Sequence, residues 1–357
     1  MPGAYLSYPF CAQKCTYCNF ASGVLPRDLE RRYLDALRAE LRGCKWPWVP
    51  ETVYLGGGTP SRMDPEALRS LLDEIPSQSG SRRWIEATIE AAPGGITRDN
   101  ANAWRAAGIN RVSLGVQSFV QPELARTGRR HTAETVQSET ALLRAAGLHN
   151  FNIDLIAGLP GQTRASWNAS LDWIERIGPP HGSVYMLEVD EDSRLGGEIL
   201  AFGKRYGAPD VPSDDQIADF YEIAVERLAS MGILRYEISN FARPGFESRH
   251  NLKYWRREPY LGFGADAHSF DGGLRWRNAE TAQEYVERFD GGLPFSMERA
   301  PADPRERFFL GLRLQEGINE DWSAFAPAVE DFAQKGLLEI EGRHLRLTPR
   351  GILLSNE

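Results

Sequence analysis

The sequence predicts an α/β fold: a partial, TIM-like (β/α)6 barrel followed by a smaller C-terminal α+β domain of winged-helix-like character. Three observations predict it. Up to about residue 188, short β-rich runs alternate with amphipathic helical stretches, the pattern of repeated βα units on a parallel sheet. After Glu188 the texture changes, first to an acidic, Gly- and Pro-rich stretch and then to aromatic segments without a clean period. The tail ends in GLLEIEGRHLRLTPRG, two strand-like runs around a turn.

The strands fall at 4–8, 51–55, 84–90, 111–115, 150–156 and 183–187. The first helix shows the logic of the intervening stretches: Leu34, Leu37 and Leu41 fall on one face, while Arg31, Arg32, Arg38 and Glu40 cover the rest. Gly108 and Gly147 follow helical runs where a left-handed residue commonly ends a helix. Six units are fewer than a closed eightfold barrel needs, so the barrel stays open and its site belongs at the C-terminal ends of the strands. Residues 189–212 read as a surface excursion, 214–231 as a helix and 236–276 as a structured loop region. The expected division is 1–215 for the barrel, 216–290 for an extension of it, and 291–357 for the small domain.

Composition bounds the function. The 357 residues are 42% hydrophobic and 25% charged, with a formal net charge of -8, which argues against a general phosphate-neutralising, nucleic-acid-binding surface. No apolar run approaches the roughly 20 residues that span a bilayer, and MPGAYLSYPFC carries no signal pattern. The expected compartment is the cytoplasm. Three of the four cysteines crowd into eight residues, which suits a metal site in a reducing compartment better than a disulfide framework. Cys44 stands apart and reads as a partly buried thiol.

CAQKCTYC places Cys11, Cys15 and Cys18 directly after the first strand, in a loop that can wrap one iron-sulfur cubane and leave one iron open. Structural zinc would close with four protein ligands, and no second Cys or His pair of that spacing follows. At the end of the second strand YLGGGTP strips the backbone bare, so that a ligand can approach N–H groups. Glu90, Gln117 and Asp154 recur at later strand ends, as loop polarity, as internal pairing, or as contacts to a ligand in the barrel.

CxxxCxxC after a first βα strand, followed by GGGTP, resembles the radical S-adenosylmethionine (SAM) superfamily. The resemblance implies a radical SAM barrel, a [4Fe-4S] cluster on Cys11, Cys15 and Cys18, and SAM bound by Tyr5, Tyr17, Gly57, Gly58, Thr59, Glu90, Gln117, Arg129 and Asp154. TIEAAPG, LGVQSF, NIDLIAGLPGQT and YEISNFARPGFESRHNLKYWRREPYLGFGADAHS together resemble the branch that holds oxygen-independent coproporphyrinogen III dehydrogenases and heme chaperones. Phe20 stands where the dehydrogenases typically carry a fourth cysteine, and the first motif begins only ten residues in. Both features favour the chaperones.

The chaperone resemblance implies heme as cargo, hemoproteins such as respiratory enzymes as clients, and a flavodoxin- or ferredoxin-like electron donor if SAM is cleaved. RHNLKYW matches a pattern tied to heme there, which makes His250 the candidate iron ligand and Tyr254 and Trp255 flat surfaces for the macrocycle. Without the family pattern, His250 also reads as a hydrogen-bonded packing residue. His268 is a second candidate ligand, and the histidines at 131, 149, 181 and 344 read as surface or loop residues. Contact with a membrane is expected only peripherally, through clients. Ser7 and Tyr8 replace the HI of the usual YIHIPFC, and Ala92 replaces a usual Asn; the lost His bears on a contact beside the cluster. The rival readings are a coproporphyrinogen III dehydrogenase and an iron-sulfur redox sensor, the latter leaving GGGTP unexplained.

Overall fold

The computed structural model, which describes residues 2–77 and 83–355, opens with β1 (Gly3–Tyr8), α1 (Arg27–Gly43), β2 (Thr52–Gly57), α2 (Pro65–Asp73), β3 (Glu86–Ala91), α3 (Arg98–Ala107) and β4 (Arg111–Gln117). It continues through α4 (Gln121–Arg126), α5 (Ala133–Ala145), β5 (Asn150–Ala157), α6 (Arg164–Ile177) and β6 (His181–Met186). Strands β1 to β6 lie side by side in sequence order, every neighbour parallel. Gly108 (φ 102°) and Gly147 (φ 80°) adopt the left-handed conformation at helix ends. Thr132 and Thr163 close capping boxes on α5 and α6.

The period-2 alternation along these strands separates two environments. Leu6, Val53, Leu55, Ile89, Val112, Leu114, Phe151, Ile153 and Val184 are buried in the core shared with the helices. The alternate residues carry polar groups that bond to one another inside the barrel. Asn152 Nδ2 donates to Ser113 Oγ at 2.8 Å, Ser183 Oγ at 2.9 Å and Asp154 Oδ1 at 2.5 Å. The two faces thus have different jobs: one packs helices, the other carries a polar network in which Thr88 Oγ1, Arg111 Nε and Gln117 Oε1 lack partners. Helix α1 departs from expectation on its polar side. Glu40 turns inward, where Gly264 N–H (2.9 Å), Asn278 Nδ2 (2.7 Å) and Tyr285 OH (2.6 Å) donate to its carboxylate.

Two further corrections concern residues 189–276. The excursion after β6 is fastened down: α7 (Arg194–Leu200) lies beside the cysteine loop, with Leu195 N–H on Thr16 O at 2.8 Å and Asn19 Nδ2 on Asp190 at 2.8 Å. After the expected helix, α8 (Asp214–Ser230), come β7 (Leu234–Arg235), β8 (Asn240–Ala242), α9 (Arg249–Trp255), β9 (Tyr260–Phe263), β10 (His268–Phe270), β11 (Leu274–Arg277), α10 (Ala282–Asp290) and β12 (Ala300–Pro301). The segment read as loop therefore carries four strands and a helix. They lengthen the sheet at both ends: β8 pairs antiparallel with β6, and β9 pairs parallel with β1.

The C-terminal part contains α11 (Glu306–Gly311), β13 (Ile318–Asn319), α12 (Ala326–Gln334), β14 (Leu338–Glu341), β15 (His344–Leu347) and α13 (Pro349–Leu353). Its separate three-stranded sheet has the order β13-β15-β14. Ile318, Val329, Leu338 and Leu345 form a core of their own. The expected α+β domain with two strands around a turn is present.

Candidate cofactor site

A cavity of about 1110 Å³ opens at the C-terminal ends of the parallel strands. Cys11, Cys15, Cys18, Tyr17, Gly57, Gly58, Thr59, Glu90, Gln117, Arg129 and Asp154 all line it. Of the residues expected to hold SAM, Tyr5 alone is missing from this lining; its ring stacks on Tyr54, with centroids 6.1 Å apart. The cavity exceeds the roughly 300–1,000 Å³ usual for one small ligand.

The three cysteines are free thiols, half-buried, on one loop. Burial pushes the Cys18 thiol up, with Cys15 and Cys11 adding to the effect. No three His, Cys, Asp or Glu side chains among the described residues converge as a single-ion site. The thiols instead share the wall of one wide space, as ligands to separate corners of a cluster require. The donor set therefore fits a [4Fe-4S] cluster with one open iron. Cys44 is half-buried against the core, its thiol pushed up to about 11 by burial and by Glu40.

The glycine run works differently from the sequence expectation. Gly58 N–H donates to Tyr8 O at 2.9 Å and Thr59 N–H to Phe10 O at 3.0 Å, so these groups stitch the run to the chain entering the cysteine loop. A Cβ on Gly58 would stand 2.7 Å from Tyr8 O and 2.9 Å from Phe10 N. The bare backbone is thus needed for this close approach, and the N–H groups of Gly58 and Thr59 do not point at a ligand.

Glu90 accepts Tyr54 OH at 2.8 Å, and burial pushes its carboxyl up to about 7. Burial also raises Asp154, against the opposing pull of Ser183, Asn152 and Arg111. Gln117 sits at a β-bulge with φ 72°, and its buried Oε1 has no partner. A strained residue with an unpaired acceptor at a cavity wall is what a ligand site leaves behind. Arg129 donates to Gly115 O at 2.6 Å and twice to Tyr17 OH at 3.2 Å, so the loop carrying the cysteines also holds this guanidinium.

Of the two readings of His250 the structure shows the hydrogen-bonded one, while His181 and His131 need correction. His250 is fully buried between the first residues of β2 and β3. Its Nδ1 bonds Thr52 Oγ1 at 2.8 Å, its Nε2 bonds Tyr254 OH at 2.9 Å, and its N–H donates to Glu86 at 2.9 Å. Burial, with Lys253 and Arg111 nearby, pushes it down to about 3. With both ring nitrogens engaged, His250 and Tyr254 form a packing pair, and neither lines the large cavity. Trp255 is different: with Arg313 over its ring at 4.5 Å, it lines a neighbouring cavity of about 210 Å³ that shares Tyr185, Met186 and Glu188 with the large one. His268 is exposed on β10 and outside the cavity lining.

His181, expected at the surface, is buried between Asn152 Oδ1 (2.7 Å) and Tyr236 OH (2.9 Å). His131, also expected at the surface, is buried, lines the large cavity and has an unpartnered Nε2. Tyr185 was missed as well; its inward position on β6 follows from the alternation with Val184. His149 is exposed as expected.

Comparison with known proteins places the chain among relatives along its whole length. Residues 5–174 match the radical SAM superfamily and residues 300–354 the HemN C-terminal domain. The heme chaperone HemW of Bacillus subtilis is 34% identical, over 100% of this chain and 98% of the relative. That of Mycobacterium tuberculosis is 36% identical over 99% and 93%, and that of Escherichia coli 34% over 94% and 86%. Among solved structures, the Escherichia coli coproporphyrinogen III oxidase HemN superposes with a TM-score of 0.83 at 22% identity, covering 99% of this chain and 88% of that one. That likeness establishes the fold.

Proposed function

The chain belongs to the radical SAM superfamily and, within it, to the heme chaperone HemW family, and on that premise we propose that it binds heme and hands it to hemoproteins. The observation that carries this reading is identity of 34 to 36% with curated heme chaperones over nearly the full length of both partners. Cys11, Cys15 and Cys18 hold the [4Fe-4S] cluster, and SAM occupies the adjoining cavity. Bound there, the cluster supplies one-electron reduction.

The residues of the chain supply the rest. Gly57, Gly58 and Thr59 border the cavity on a loop stitched to the chain entering the cysteine segment, so SAM can lie against a fixed wall. Arg129, steadied by Tyr17, offers a fixed positive charge to its carboxylate. Glu90, Gln117 and Asp154 offer acceptors to its amino and hydroxyl groups. If SAM is cleaved, a flavodoxin- or ferredoxin-like donor delivers the electron. The compartment is the reducing cytoplasm, and no described helix is long and apolar enough to cross a membrane.

An anaerobic titration of cluster-reconstituted protein with hemin, followed at the Soret band, tests the reading, with SAM cleavage assayed in parallel with and without coproporphyrinogen. The expected result is a saturable stoichiometric heme complex and no porphyrinogen-dependent cleavage. Weak, unsaturable heme uptake together with porphyrinogen-dependent cleavage would instead identify a dehydrogenase.

A further inference from the structure

We propose that a small cavity between the end of β6, α9 and the C-terminal domain is a carboxylate pocket, in which Arg313 and Trp255 hold one propionate arm of the heme. The proposal rests on the heme-binding reading above and adds to the α9 segment a contact that the C-terminal domain supplies. The cavity, of about 210 Å³, lies beside the large one and shares Tyr185 and Met186 with it. It is smaller than the roughly 300–1,000 Å³ that take a whole small ligand, so it fits an arm of the cargo and not the macrocycle.

The main chain carries Arg313 to this wall. Leu314 forms an isolated backbone bridge with Glu237, and Gln315 N–H donates to Tyr236 O at 2.9 Å, so the turn after α11 is fastened to the connection between β7 and β8. The Arg313 guanidinium lies over the Trp255 ring at 4.5 Å and stops 4.0 Å from Glu237 Oε2, too far for a hydrogen bond. All three side chains line the cavity. Each also keeps one buried polar atom without a partner: Arg313 Nε, Trp255 Nε1 and Glu237 Oε2.

Buried donors and acceptors are normally paired, so three orphans around one space mark a group that belongs there. Two of the three are N–H donors, one of them on a permanent cation, which selects an acceptor with negative charge. Glu237, its side chain fully buried with Asn240 Nδ2 on the other oxygen, would repel a carboxylate if it were ionised. Burial pushes its carboxyl up, and a carboxyl that keeps its proton donates a hydrogen bond to the incoming carboxylate instead.

The test is anaerobic titration of the cluster-reconstituted full chain with hemin and with hemin dimethyl ester, which keeps the ring and iron but carries no carboxylate charge. The parent is compared with Arg313→Gln and with Trp255→Phe, which keeps a flat ring and removes the N–H. The parent should prefer hemin over the ester roughly tenfold. Arg313→Gln should bind hemin and ester alike, at the parent's affinity for the ester, and Trp255→Phe should narrow the preference, with iron content and circular dichroism matching the parent. A parent that binds both ligands equally holds only water in the pocket, and that result overturns the proposal. So does a preference that survives intact in Arg313→Gln, or a loss of hemin and ester by the same factor in both variants, which would make Arg313 and Trp255 structural. Each of these outcomes leaves the chaperone reading standing, whereas a parent that takes up neither ligand overturns both.

Discussion

Glu90 shows how a single carboxyl couples site and stability. Burial raises it from an ordinary 4.5 to about 7 in the folded chain, so between those values the folded state binds the proton that the unfolded chain releases. The contribution of this group to stability is then fully present below about pH 4.5 and is lost as pH rises through 7. Glu40 contributes with the same sign, being raised to about 7 by burial. Glu90→Gln should therefore remove only its own share of the slope, on the order of 1–3 kcal/mol across that window. Urea unfolding at pH 5 and pH 8 measures it, and an unchanged slope would refute the assignment. Residues whose chemistry dictates their type were legible in the sequence, as Cys11, Cys15, Cys18, Gly57 and Gly58 were. Burial of His181 and Glu40 was not, because it depends on partners such as Asn152 and Tyr285, distant in the chain.

Between β2 and the cysteine loop, the two elements meet through Gly58, with no space for a side chain. Gly58→Ala must push against Tyr8 O and Phe10 N, backbone atoms that cannot swing aside. The expected cost is about 1–3 kcal/mol, together with a loss of cluster content read from iron analysis and visible absorbance. Full cluster occupancy at unchanged thermal stability would show that the loop tolerates separation from β2. Six long strands were legible because each alternates cleanly between helix-facing apolar and barrel-facing polar residues. Strands β7 to β11 were not, since each is two to four residues long and rich in Gly, Arg and aromatics. The pairing of β9 with β1 and of β8 with β6 comes from tertiary contact, which overrides weak local preference.

Across the whole molecule, the C-terminal domain meets the extended sheet through several contacts, among them Gln315 N–H on Tyr236 O at 2.9 Å, Arg313 over Trp255 and one well-enclosed carboxylate. Glu306 on α11 receives Arg275 of β11 in a fork, with contacts of 2.6 and 2.8 Å, and Arg257 stands 3.7 Å away. Glu306→Ala strands two guanidinium groups, costing about 1–3 kcal/mol. The expected readout is faster proteolysis within residues 291–305, with cluster content unchanged; equal proteolysis rates would mean that other contacts hold the domain. The existence of a small terminal domain was legible from its strand-turn-strand tail, but the docking was not, because Arg275 and Glu306 carry no local signal of pairing. The parallel partnership of β1 with β9 also bears on biosynthesis. During synthesis one edge of this strand stays uncovered until Tyr260–Phe263, far along the chain, has been made. The strand that leads into the cysteine loop is therefore among the last parts of the sheet to gain its full set of neighbours.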